Sequence, residues 1–159
     1  MKSETHVFAL VGCSKQKTPN SEKGKFVPAE NLYQSQLFRA RVNHVTNRKL
    51  PWFVLSAKFG LVAPQTPIPK YDHRMEEKNQ LDFSAWHIGV VRNLIDTLYD
   101  EFNIRDLRTV RIEIHAGRKY SQPLDEILRS VGFYVIRPVE SMGIGQQLRY
   151  YAGLKGGEA

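Results

Sequence analysis

Residues able to bind anions or move protons stand directly after the apolar runs of this chain. Val7-Phe8-Ala9-Leu10-Val11 leads into Gly12-Cys13-Ser14-Lys15-Gln16-Lys17, and Trp52-Phe53-Val54-Leu55 leads into Ser56-Ala57-Lys58-Phe59-Gly60. Val110-Arg111-Ile112-Glu113-Ile114 leads into His115-Ala116-Gly117-Arg118-Lys119-Tyr120, and Phe133-Tyr134-Val135-Ile136 into a segment ending Glu140-Ser141-Met142-Gly143-Ile144-Gly145. Small residues such as Gly12 and Gly117 let backbone N–H groups approach an anion, and Ser14, Lys15, Ser56 and Lys58 can complete its coordination. Cys13 is a small residue at the end of the first run and joins this binding set. Tyr33, Tyr71 and Tyr120 can stack on a base or pack at the surface, and His115 suits either a site or a hydrogen-bonded place in the core. Glu30, Asp72 and Glu140 are the carboxylates near these segments that could do chemistry, and for Glu30 and Asp72 helix-start roles suit equally well.

These groups need a scaffold that gathers them. The four apolar runs are predicted strands, the first two buried and continuous, the third alternating and therefore half-buried or near an edge. Between them lie helical patterns. Phe38, Val42 and Val45 form one stripe, and Phe83, Trp86, Val90, Leu94 and Leu98 a longer one. A third runs from Ser121 as N-cap through Pro123 to a stop at Gly132, and a fourth short one spans Gln146 to Ala152. Strand and helix alternate four times, which predicts one α/β domain over residues 1–159, in three layers around a mainly parallel four-stranded sheet. Thr18–Ala29 and Ala63–Asp72 read as loops, and the ends, about 1–5 and 155–159, as frayed. In such sheets ligands bind outside the carboxyl ends of the strands, where all four polar segments fall.

The chain has 159 residues and carries 23 Lys+Arg against 16 Asp+Glu, a formal net charge of +7. The excess is concentrated in Lys15, Lys17, Lys23, Lys25, Arg39, Arg41, Arg48 and Lys49. One basic face of this kind favours a polyanionic partner. A single cysteine excludes an internal disulfide and a Cys-based zinc site, and agrees with a cytoplasmic location. The five histidines show no metal-ligand spacing, so neither a metal nor another cofactor is expected. No apolar run is long enough to span a bilayer. No obligate protein partner can be inferred.

The motifs VGCSKQK at 11–17, AENLYQSQLFRAR at 29–41, WFVLSAKFGLVAP at 52–64 and PKYD at 69–72 resemble those of a bacterial and phage-borne family of small domains. That family is distantly similar to the peroxide-stress protein YaaA and to a domain of archaeosine synthase whose fold is similar to uracil-DNA glycosylases. A phage-defence DNA glycosylase that removes glucosylated hydroxymethylcytosine is a small protein of similar kind. The resemblance implies a uracil-DNA-glycosylase-like fold, DNA as partner, and cleavage of the N-glycosidic bond of a modified base. The chain lacks the G-[QE]-DPY and HPSP loops of uracil-DNA glycosylases, so their catalytic residues are not carried over. Under this reading Asp72 and Glu30 are catalytic, Ser14, Lys15, Ser56 and Lys58 hold phosphates, and Tyr33, Tyr71 and His115 hold the base. Two other readings stay open. One is a non-catalytic nucleic-acid-binding stress or defence protein; the other is a nucleoside or nucleotide N-glycosidase or deoxyribosyltransferase.

Overall fold

The first apolar run becomes the middle of a sheet. β1 (His6–Gly12) pairs in parallel with β3 (Trp52–Ser56) on one side and β6 (Val110–His115) on the other. β7 (Tyr134–Ile136) extends the sheet in parallel beyond β6, and β4 (Gly60–Val62) closes the opposite edge antiparallel to β3. The order is β4-β3-β1-β6-β7. The structure, a computed structural model, describes residues 5–13, 25–71 and 78–155. Ser14, Lys15 and Asp72 of the expected site lie outside these residues, as do 1–4 and 156–159 of the expected frayed ends.

Five strands rather than four make this sheet, because the chain after Ser56 turns back at once. Gly60 supplies the required positive φ of 73°. The two expected loops also carry structure. β2 (Phe26–Pro28) and β5 (Pro67–Pro69) pair antiparallel as a separate two-stranded ribbon, in which the prolines take edge positions that need no ladder N–H. Glu30 falls inside a short helix, α1 (Ala29–Leu32), rather than ahead of the first one.

Helices cover both faces. α2 (Gln36–Asn47) and α5 (Ile144–Lys155) pack together on one face, and α3 (Gln80–Phe102) and α4 (Arg118–Ser130) on the other. Side chains alternate along each strand, so Phe8, Leu10, Ile112 and Ile114 meet Val90, Leu94, Leu124 and Leu128. Ala9, Val11 and Val54 meet Leu32, Phe38 and Val45. Each such side chain contributes about 1.5–3 kcal/mol when fully buried.

Three expectations change. β6 lies between β1 and β7, not at an edge, so its alternating Glu113 and His115 are buried under helices instead of facing water. α4 begins one turn before Ser121; Gly117 is its N-cap and Ser121 is a buried helical residue. Pro123 therefore lies inside the helix. It has no N–H to offer the Lys119 carbonyl, and His87 Nε2 of α3 lies 3.2 Å from that oxygen. The long helix α3 is capped by Asn79, whose side chain accepts from Asp82 N–H, so Asp72 is not its cap.

Candidate functional site

The crossovers decide where a site can form. From β1 the chain moves to β3 on one side, then returns past β1 to β6 on the other, so the connections part at the carboxyl ends of β1 and β6. A crevice at such a point is where open α/β sheets bind ligands. Gly12 and Ala116 pinch its floor. A Cβ on Gly12 would lie 2.8 Å from the Ala116 Cβ, so only glycine fits.

Cys13, the next residue, meets a group of hydroxyls. The Tyr33 and Tyr71 hydroxyls are 2.7 Å apart, Ser56 Oγ donates to Tyr71 Oη at 3.0 Å, and the Tyr71 hydroxyl lies 3.9 Å from Cys13 Sγ. Tyr120 reaches the same sulfur from α4 and packs edge-on against Trp86, whose Nε1 donates to the Ser56 carbonyl at 2.9 Å. Burial pushes all three tyrosines upward, reinforced by Cys13, so their hydroxyls stay protonated. Ser56 also accepts from Phe59 N–H, fixing the turn after β3. The result is a buried knot of proton donors at the carboxyl edge of the sheet.

The structure thus joins Cys13, Tyr33, Ser56, Tyr71 and Tyr120 of the expected residues. Lys58 stands exposed at the rim, its Nζ 5.4 Å from the Phe59 ring centre. Gly117 is exposed at the start of α4. Glu30 is half-buried and lines a separate 270 Å³ hollow shared with Tyr33, Phe38 and Arg39. Among the described residues no hydrogen bond ties it to the hydroxyl group.

His115 belongs elsewhere. It is fully buried on the α2/α5 face with Glu113, Arg48, His44 and Tyr151, none of which the sequence reading placed in a site. Arg48 binds Glu113 with two hydrogen bonds of 2.7 Å. His115 Nε2 lies 3.1 Å from Glu113 Oε1, and its Nδ1 2.8 Å from the Tyr151 hydroxyl. Burial pushes Glu113 up, but hydrogen bonds from His115 and Arg48 outweigh it and hold the carboxyl at about 2. An ionised carboxylate only accepts, so His115 Nε2–H donates to it and Nδ1 accepts from Tyr151. Burial lowers His115, partly offset by Glu113. Burial, with His115 and Arg48, lowers His44 to about 4, and its Nε2 accepts from Arg48 at 2.9 Å. The group floors a cleft of 750 Å³ between α2 and α5, walled by Asn43, Leu148, Tyr150 and Ile136. Ligand atoms of His44, Glu113 and His115 lie within 4.8 Å of one another, a grouping that the spacing of the histidines in the sequence does not reveal. Arg48, however, already places its charge against both Glu113 and His44. One signal was readable: Glu113 and His115 are two apart in a strand and so share a face.

No helix of the described residues is long and apolar enough to cross a membrane. No curated protein and no solved structure matches the chain. One family model does, over residues 8–153, which reaches every strand and helix and includes the whole hydroxyl group; the chain belongs to the family of unknown function DUF6884.

Proposed function

We propose that the protein is a DNA glycosylase, cleaving the N-glycosidic bond of a modified base and leaving an abasic site. The observation that carries this reading is the knot of protonated hydroxyls at the carboxyl edge of the parallel sheet, Tyr33, Tyr71 and Tyr120 around Ser56 and Cys13. In such a reaction the C1′–N bond breaks and its electron pair leaves with the base, so charge grows on the base. Preorganised hydroxyl donors stabilise that charge most where water is excluded. The sugar becomes oxocarbenium-like, water adds to C1′, and a carboxylate takes the proton of that water. Asp72 is the proposed carboxylate, since it follows Tyr71 directly in sequence, and Glu30 is the second candidate. A base of duplex DNA becomes accessible to an enzyme only when flipped out of its stack, and Lys58, exposed after β3, suits a flanking phosphate.

The resemblance to YaaA, archaeosine-synthase domains and a defence glycosylase supports modified DNA as substrate, with a glucosylated hydroxymethylcytosine as the first base to try. Asp72→Asn and Glu30→Gln, measured separately for DNA affinity and for released base, test the assignment. At least one is expected to lose base release by about a hundredfold or more while affinity holds; unchanged turnover in both overturns it.

A further inference from the structure

We propose that Arg41 of α2 anchors a phosphate-binding subsite at the carboxyl edge between β1 and β6. The inference extends the proposed function and rests on it for what carries the phosphate. Arg41 is 5% exposed. Its Nη2 donates to Gln147 Oε1 at 2.8 Å, while its Nε has no hydrogen-bond partner. None of the ion pairs among the described residues involves it. It also hydrogen-bonds the Tyr151 hydroxyl and lies near Cys13, so its partners are neutral groups and not a carboxylate. Arg48, Arg108, Arg129 and Arg137 all have carboxylate partners. Arg111 Nε is orphaned too, but that side chain is only half-buried and its guanidinium lies 5.3 Å from the centre of the Tyr134 ring. A buried guanidinium without a counter-charge is costly, and a ligand oxyanion supplies the missing partner.

Position agrees with charge. The missing Cβ of Gly12 would lie 3.5 Å from Arg41 Nη1, so the guanidinium reaches the carboxyl end of β1. The residue after Ala116 is Gly117, the N-cap of the 13-residue helix α4. That helix has no side-chain cap and no acid in its first turn, where Arg118 and Lys119 stand instead. A guanidinium suits a phosphate oxyanion, and the uncapped N-terminus of α4, which follows Ala116 in the chain, suits an anion as well. Cys13 lies between Arg41 and the hydroxyl knot, which puts phosphate and base recognition on opposite sides of one residue.

Thermal denaturation and calorimetry with inorganic phosphate at constant ionic strength, with chloride as control, test the subsite. A deoxynucleoside 5′-monophosphate and a short single-stranded oligonucleotide distinguish free nucleotide from strand as the source. The wild-type Tm is expected to rise with phosphate, and Arg41→Met to bind it about ten- to a hundredfold more weakly. Arg41→Lys, which keeps the charge but not the fork, is expected to fall between them; if Arg41→Met does not fold, equal affinity in Arg41→Lys overturns the proposal. A phosphate response no larger than that to chloride, or one undiminished in Arg41→Met, also overturns it. Phosphate binding without base release from any DNA keeps the subsite and removes the glycosylase reading. Base release at the wild-type rate by Arg41→Met does the reverse.

Discussion

Glu113 shows how a single residue can stabilise or destabilise the fold depending on its partners. It is 4% exposed and held ionised by Arg48 and His115. Removing the charge leaves the Arg48 guanidinium and the His115 N–H without their ionised acceptor. Glu113→Gln is therefore expected to cost about 2–3 kcal/mol in urea unfolding, toward the low end for a broken buried pair because Arg48 is partly exposed. The pH dependence has a definite sign. Glu113 sits at about 2 in the fold against an ordinary 4.5, so its stabilisation is present above 4.5 and lost as pH falls toward 2. His44 sits at about 4 against 6.5, so the unfolded chain takes up its proton first and stability falls as pH drops from 6.5 to 4. Unfolding free energies measured across pH 3–8 should decline through both windows. His44→Gln should flatten the upper one, and an unchanged slope would show that His44 does not carry it.

At the scale of elements, the tightest constraint is the meeting of β1 and β6. Gly12→Ala places a methyl 2.8 Å from Ala116 Cβ, and the strands must separate to admit it. We expect a loss of about 1–3 kcal/mol in chemical denaturation, with Ala116→Gly in the same chain recovering part of it. The elements themselves were largely legible. The stripes Phe38-Val42-Val45 and Phe83–Leu98 give α2 and α3, and the four apolar runs give β1, β3, β6 and β7. The short pieces were not. β2, β4 and β5 have three residues each and take their pairing from tertiary context rather than from any local pattern. Ser121 looked like a cap because Pro123 follows it, yet packing against α3 carries the helix back to Gly117. Glu113 and His115 were readable as one face of a strand, but that face is buried only because β6 is interior. Strand order comes from crossovers, which leave no mark on local periodicity.

The whole molecule explains why charge alone was ambiguous. Of the basic residues that give the chain its +7, Arg48, Arg129 and Arg137 are tied to carboxylates within the fold. Arg41 is buried, whereas Arg39, Lys58, Arg118 and Lys119 are exposed. A guide for DNA built from a few exposed cations predicts a plot of log K against log salt with a slope of about −3 to −5, measurable by fluorescence anisotropy; a flat plot contradicts an electrostatic guide. The hydroxyl knot was half legible, since Cys13, Ser56, Tyr33, Tyr71 and Tyr120 could be named from strand ends and aromatic type. Their convergence on one point, with His115 turned away from it, depends on three-dimensional packing. The most direct measurement is incubation of the protein with DNAs carrying ordinary, methylated, hydroxymethylated or glucosylated hydroxymethylated cytosine, followed by alkali. Strand breaks confined to a modified DNA, with the free base recovered by mass spectrometry, are the predicted result; intact strands from all four would contradict a DNA glycosylase.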